Sequence, residues 1–181
     1  MRLLPLLALL AAGCAPGRNL PALPLPASAE YRLGPGDAVR LITFGEDSLT
    51  GEFRVNDSGA IAVPLIGPVR AAGLTTHGLE AAVVAALKRS NVLRDPSVVA
   101  EITAYRPIFV LGEVNKPGQY PYQPGMTVVT AAAVAGGFTY RAVEAYASVV
   151  RTHGGGGVEG KATRQAFVQP GDVITIFERR F

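Results

Sequence analysis

GPGDAVRLITF (residues 34–44) and QPGDVITIF (residues 169–177) share an opening, and each places a Pro-Gly-Asp turn before a run of apolar residues. Proline fixes φ and glycine permits a positive φ, so each stretch is expected to be a sharp reversal followed by a strand. The repetition has two explanations: the same turn was used twice for its geometry, or a whole unit was duplicated.

Around the first of these stretches, the pattern predicts more strands and one helix. Thr75 or Thr76 can cap a helix that runs to about Ser90, because Leu79, Val83 and Leu87 form one apolar stripe. Residues 97–105 alternate as a strand does. The turn residues 56–59 predict a hairpin that pairs 52–56 with 60–63, after which Pro64, Gly67 and Pro68 break the pattern.

A similar order of elements precedes the second stretch. Strands are predicted over 108–114, 119–122 and 146–151. Thr127 can cap a short helix over 128–135, with Gly136 or Gly137 as its left-handed stop, and Gly154–Gly157 is predicted to be a flexible loop tip. We therefore predict an α+β fold of two small β-rich units, 31–105 and 106–181, each with a single sheet and one packed helix.

Composition excludes several classes of function. The 181 residues include 21 glycines, 14 prolines, one cysteine and two histidines, and the formal net charge is +3. One cysteine cannot form an internal disulfide, a thiolate zinc site or an iron–sulfur cluster. The charge is too small to indicate nucleic acid by itself. With 49% apolar and 17% charged residues, bulk disorder is not expected.

The N-terminus has the layout of an exported protein. Arg2 precedes a ten-residue apolar run, and small residues 11–13 lead to Cys14. The run is too short to cross a membrane, so residues 1–13 are predicted to be a signal peptide. The residues before Cys14 resemble the lipobox of bacterial lipoproteins, although Ala11 stands where that box usually has Leu. The resemblance implies lipid attachment at Cys14; the alternative is an ordinary signal peptide with an incidental cysteine.

Residues 14–30 are predicted to be a lipidated, proline-rich tether. Pro16, Pro21, Pro24 and Pro26 favour extended backbone and oppose a helix. No later segment reaches 18 consecutive apolar residues, so the sequence predicts no ordinary transmembrane helix after cleavage.

No catalytic, cofactor-binding or metal-binding motif stands out, so no enzymatic activity and no cofactor are predicted. His77 and His153 are interpreted as solvated or locally bonded, and Glu46-Asp47 as a solvated turn with cation binding as the alternative. Aromatic residues in the second unit and at its border with the first could stack on sugar, although core or interface packing is the preferred interpretation. They are Tyr105, Tyr120, Tyr122, Tyr140 and Tyr146.

The chain resembles the bacterial outer-membrane polysaccharide export lipoproteins. YRLGPGDAVRLITF (31–44), GAIAVPLIGPVRAAGLT (59–75) and LRDPSVVAEI (93–102) are similar to their polysaccharide export domain. Residues 106–142 are similar to the soluble-ligand-binding β-grasp domain that follows it, through Gly112–Tyr120 and Ala135-Gly136-Gly137. The second unit is therefore expected to be β-grasp-like.

The resemblance implies a non-enzymatic role in exporting capsular or exopolysaccharide. Members of the family form rings at the outer membrane and work with an inner-membrane copolymerase. Long members continue into a C-terminal membrane-crossing helix, which this sequence lacks. We therefore expect a lipid-anchored periplasmic ring that contacts polysaccharide, the copolymerase and a separate outer-membrane β-barrel. The alternative is a monomeric periplasmic lipoprotein that binds glycan or another solute.

Overall fold

A computed structural model describes residues 16–24, 30–153 and 156–179 of the chain. In these residues the protein is an α+β fold with two apolar cores, which confirms the predicted fold class. One core gathers side chains between Leu33 and Ala100, and the other between Ile108 and Ile176. Each core is covered by its own helix.

The first unit contains two small sheets and one helix. Its three-stranded antiparallel sheet has the order β2-β1-β5, built from β1 (Ala38–Thr43), β2 (Gly51–Arg54) and β5 (Val98–Ala104). A short 3₁₀ helix, Asp47–Leu49, joins β1 to β2. The second sheet is a hairpin of β3 (Ala60–Val63) and β4 (Gly67–Arg70). The prediction of one sheet in this unit was wrong.

The turn at residues 56–59 joins two strands that belong to different sheets. The predicted hairpin partner of β3 was β2, but β2 pairs with β1, and β3 pairs with β4. Pro68 was interpreted as a breaker, yet it lies within β4, an edge strand of a two-stranded ladder. Proline is tolerated there because the amide that it lacks can be on the unpaired side of an edge strand.

The helix α1 (Thr76–Arg89) packs against β5 and β4. Thr75 is the N-cap, and its hydroxyl accepts a hydrogen bond from the Gly78 amide at 3.1 Å. Leu79, Val83 and Leu87 are fully buried, as the apolar stripe predicted. Lys88 and Arg89 lie in the last turn, where the helix dipole favours cations.

The second unit is one mixed five-stranded sheet with a helix across it, a β-grasp-like arrangement. Its order is β7-β6-β10-β8-β9, and only β10 and β6 are parallel. The strands are β6 (Ile108–Gly112), β7 (Gly118–Tyr120), β8 (Tyr146–His153), β9 (Gly156–Thr163) and β10 (Val173–Ile176). The helix α2 (Val128–Val134) begins at the Thr127 cap, and Gly136 and Gly137 both have positive φ after it.

The sequence did not predict β9, and the predicted loop tip was partly wrong. Gly156 and Gly157 belong to β9, which pairs with β8 along its whole length. Gly154 and Gly155 lie outside the described residues. A glycine-rich strand with little apolar alternation gives no periodic signal, and only its pairing with β8 makes it a strand.

Candidate functional site

The repeated Pro-Gly-Asp turns meet at the junction between the two units. Arg106 lies between them: its backbone amide donates to Asp37 Oδ1 at 2.8 Å, and its Nε donates to the Pro170 carbonyl at 2.9 Å. A Cβ on Gly34 or on Gly171 would overlap the Arg106 side chain. The glycines of both turns therefore make room for the residue that connects the units.

Both turns are closed by the same side-chain bond. Asp37 Oδ2 accepts from the Gly34 amide at 2.8 Å, and Asp172 Oδ2 accepts from the Gln169 amide at 2.7 Å. Both aspartates are almost fully buried. A buried carboxylate requires a compensating partner. That partner is Arg151 for Asp172, through contacts of 3.0 Å and 2.7 Å.

The carboxylate of Asp37 is held by a neutral phenol as well as by Arg106. The Tyr31 hydroxyl donates to Asp37 Oδ2 at 2.6 Å, and Arg106 Nη1 lies 3.9 Å from the same oxygen. Burial, followed by the hydrogen bond to Asp37, raises the pKa of Tyr31 well above its ordinary value. The neutral phenol is thus the form that the folded protein favours.

Three tyrosine rings extend the junction from Arg106, whose guanidinium carbon lies 5.9 Å from the centroid of the Tyr31 ring. Tyr105 packs edge-on against Tyr31 at a centroid distance of 5.0 Å and against Tyr122 at 5.4 Å. Tyr31 precedes the first unit's sheet, and Tyr122 follows β7 of the second unit. The rings therefore form one aromatic contact across both units, which stabilises their relative position.

Replacing Tyr31 with phenylalanine should change how stability depends on alkaline pH. Because the folded pKa of Tyr31 exceeds the unfolded value of about 10, its hydrogen bond contributes stability below pH 10 that is lost as the pH rises further. Tyr31→Phe should lower the melting temperature at pH 7. Above pH 10, the melting temperature of Tyr31→Phe should fall less steeply with pH than that of the wild type. Circular dichroism melts measure both, with the exposed Tyr140→Phe as the control. An identical alkaline decline in Tyr31→Phe and in the wild type would contradict this assignment.

The described part of the predicted tether lies against the second unit. We call residues 16–24 the docked segment. The Leu23 amide donates to the Lys161 carbonyl at 2.9 Å, and the Lys161 amide donates to the Pro21 carbonyl at 2.7 Å. The docked segment therefore pairs with the outer edge of β9. Leu23 packs on the second core and against Gly160, where a Cβ would lie 2.6 Å from the Leu23 backbone.

The residues singled out in the sequence occupy separate places. Cys14 lies outside the described residues, so its lipidation stays a prediction. The His77 side chain is exposed and lies 3.1 Å from Glu80, as expected for a locally bonded histidine. Glu46 is the N-cap of the short 3₁₀ helix and Asp47 is its first residue, while His153 is the last residue of β8. Of these, the residues that the structure describes belong to separate elements: α1, the short 3₁₀ helix and β8.

The tyrosines divide into packed and exposed members. Tyr105 and Tyr122 are part of the junction, Tyr120 packs on the second core, and the Tyr146 hydroxyl donates to the Pro16 carbonyl at 2.9 Å. Tyr140 is 87% exposed. Packing is therefore confirmed for Tyr105, Tyr120, Tyr122 and Tyr146, whereas Tyr140 does not pack in the core of its own chain.

Sequence reasoning missed the arginines that organise the turns. The sequence pattern places Arg106 only at the start of the second unit and Arg151 only at the end of a strand. A signal was present, because two buried Pro-Gly-Asp turns each need a cation for the aspartate. Sequence spacing does not show which arginine serves which turn, since Arg106 lies 69 residues from Asp37 and Arg151 lies 21 from Asp172.

Two chemical features are absent from the part of the chain that the structure describes. No group of three or more His, Cys, Asp or Glu residues there could hold a metal ion. Within the same residues, no helix is long and apolar enough to pass through a membrane.

The two units match two family models in the predicted order. Residues 25–103 match the polysaccharide biosynthesis/export protein family, and residues 107–162 match the SLBB domain. Together with the fold, these matches define a two-unit protein with an export domain followed by an SLBB domain. The chain belongs to the polysaccharide export family, as the resemblance implied.

Similar proteins are named for the production, transport or export of polysaccharides. The chain is 35% identical over 143 residues to the exopolysaccharide production protein ExoF of Rhizobium meliloti, covering 72% of this chain and 32% of ExoF. It is 33% identical over 96 residues to the polysialic acid transport protein KpsD of Escherichia coli, covering 50% of this chain and 16% of KpsD. It is 33% identical over 105 residues to the EPS I polysaccharide export outer membrane protein EpsA of Ralstonia solanacearum, covering 56% of this chain and 27% of EpsA. The chain thus spans a third or less of these relatives' lengths.

Proposed function

We propose that this protein is a non-enzymatic component of a machine that exports capsular or exopolysaccharide. The observation that supports it best is the pair of family matches, in order, over both units. Relatives named for exopolysaccharide production, polysialic acid transport and polysaccharide export lend further support. The contribution that we propose is structural: the buried Asp37 holds the backbone of Arg106 at the junction, and the buried Asp172 pairs with Arg151 inside the second unit.

The finer proposal concerns place and assembly. Lipid on Cys14 anchors the protein to the periplasmic face of the outer membrane. Copies associate as a ring that passes polymer from an inner-membrane copolymerase toward an outer-membrane pore. The junction at Arg106 suits this role, since a ring requires each copy to hold its two units in a constant relative position. Multiple acyl chains would give firm anchoring, at about 0.8 kcal/mol per buried CH₂.

Deleting the gene is expected to abolish or strongly reduce secreted polysaccharide, and the wild-type gene should restore it. Cys14→Ser should lose labelling with radioactive fatty acid and move from the membrane fraction to the periplasm. Polymer in the medium and protein in each fraction are the measurements, and equal melting temperatures would show that Cys14→Ser is folded. Unchanged secretion after deletion would refute the export role, and membrane retention of Cys14→Ser would refute the anchor.

Oligomeric state separates the ring from the alternative of a monomeric solute-binding lipoprotein. Native mass spectrometry of the detergent-extracted, acylated protein should give one closed oligomer. A monomer at every protein concentration would favour the solute-binding alternative.

A further inference from the structure

The docked segment begins at one end of the second unit's sheet. The Pro16 carbonyl accepts the Tyr146 hydroxyl, and Gly17 lies so close to the Phe177 ring that a Cβ there would be 2.3 Å from it. Cys14 precedes Pro16 by two residues, and an extended chain spans at most about 3.6 Å per residue. Covalent geometry therefore limits the Cα of Cys14 to about 7 Å from that of Pro16.

This end of the sheet is the one away from the junction. β10 starts immediately after Asp172, beside Arg106 and Pro170, and finishes just before Phe177. β8 is antiparallel to β10, so its first residue, Tyr146, lies near the same end as Phe177. Pro16, two residues after Cys14, and the first unit therefore lie at opposite ends of the second unit's sheet.

A loop at the same end presents an exposed aromatic side chain. The Val143 amide donates to the Phe177 carbonyl at 2.8 Å, and the Arg179 amide donates to the Arg141 carbonyl at 2.7 Å. These bonds hold the loop after Tyr140 against the residues that follow β10. We call this end, formed by residues 140–146 and 177–179, the outer end of the second unit.

The chemistry of the outer end suits the surface of a phospholipid bilayer. Tyr140 is 87% exposed, more than any other large hydrophobic residue in the described part of the chain. A tyrosine has an apolar body and a polar tip, which is why tyrosines are enriched at membrane interfaces. Arg141, the next residue, and Arg179, bonded to it, carry half-exposed guanidinium groups. The planar guanidinium group suits forked hydrogen bonding to phosphate.

The charges of the outer end are balanced within it. Arg141 pairs with Glu178, and Arg179 Nη2 lies 3.9 Å from Glu144. Attraction to anionic lipid is therefore not the main source of affinity. The lipid on Cys14 supplies the affinity, and the outer end sets which side of the protein rests on the membrane.

From these contacts we propose that the outer end of the second unit is a membrane-contact surface whose Tyr140 ring enters the headgroup region of the phospholipid bilayer. The first unit then projects away from the membrane, on the far side of the junction. This inference rests on the proposed lipid anchor at Cys14.

Fluorescence from an introduced tryptophan tests the contact, because the protein contains none. Full-length acylated Tyr140→Trp would be reconstituted into phosphatidylethanolamine–phosphatidylglycerol vesicles with brominated acyl chains. The matched control is Phe44→Trp, since Phe44 is 63% exposed and follows β1 at the end of that strand away from the junction. We expect about twofold or greater quenching for Tyr140→Trp and none for Phe44→Trp. Stronger quenching of Phe44→Trp, or none in either variant, would overturn the proposal.

A second readout uses an introduced thiol, since acylated Cys14 no longer has a free one. Labelling of Tyr140→Cys by a membrane-impermeant maleimide should be about tenfold slower on vesicles than in the unanchored Cys14→Ser background. Phe44→Cys should be labelled at the same rate in the acylated protein on vesicles and in the unanchored Cys14→Ser background. A rate for Tyr140→Cys that anchoring leaves unchanged would contradict the membrane contact.

The outcomes separate this inference from the proposed function. If the anchored protein supports secretion while Tyr140→Trp is not quenched, the anchor and the export role stand and the membrane-contact surface is refuted. If Cys14→Ser stays in the membrane, the anchor itself is refuted.

Discussion

Arg151→Met is expected to lower the free energy of unfolding by about 3–5 kcal/mol, because it leaves the Asp172 carboxylate buried without its cation. Asp172 is 1% exposed and Arg151 is 9% exposed. The guanidinium meets both carboxylate oxygens, and its Nη2 also donates to the Phe167 carbonyl at 3.3 Å. Chemical denaturation followed by circular dichroism measures the loss.

Two controls isolate the cause of that loss. Lys88→Met removes a cation from an exposed pair with Asp95, whose atoms lie 3.8 Å apart, and should cost less than about 1 kcal/mol. Adding Asp172→Asn to Arg151→Met should restore part of the stability, because it removes the unpaired charge and keeps an oxygen for the Gln169 amide. If the double variant is as unstable as Arg151→Met alone, lost packing rather than the buried charge is responsible.

Gly112→Ala should destabilise the second unit by more than about 4 kcal/mol, which is among the largest costs of a single substitution. Gly112 has a φ of +81°, and a Cβ there would lie 2.1 Å from the Ile176 carbonyl oxygen. The obstacle is backbone of the neighbouring strand β10, so it cannot move without breaking the parallel pairing of β6 and β10. We expect Gly112→Ala to be largely insoluble or to melt far below the wild type.

Gly125→Ala is the matched control for that prediction. Gly125 has a φ of +82°, almost the same as Gly112, but open space surrounds the position of its Cβ. Backbone strain alone should cost about 1–2 kcal/mol there. Equal losses of melting temperature in the two variants would show that positive φ, and not contact with β10, accounts for the effect.

The features that depend only on residues close together in sequence were predicted correctly. The caps at Thr75 and Thr127 and the stripe of α1 depend on residues within a few positions, and they were confirmed. The hairpin partner of β3 and the strand β9 were not predicted correctly, because strand pairing depends on which distant segment is adjacent.

The candidate sites divide in the same way. Cys14 was identified because the residues that define a lipobox are consecutive in the sequence, and its lipidation stays a prediction. The outer end of the second unit could not be identified from sequence. Tyr140 differs from the four packed tyrosines only in its surroundings, and the loop that follows it is held by residues 177–179, far away in sequence.

The sequence by itself determined that two Pro-Gly-Asp turns each precede an apolar strand, because proline and glycine impose their backbone preferences locally. Only the tertiary structure decided that the two turns face each other across Arg106 and that Asp172 pairs with Arg151. It also decided that the docked segment lies on the second unit although it precedes the first in the chain. These contacts join residues far apart in sequence, so their formation depends on how the two units pack and not on any local preference.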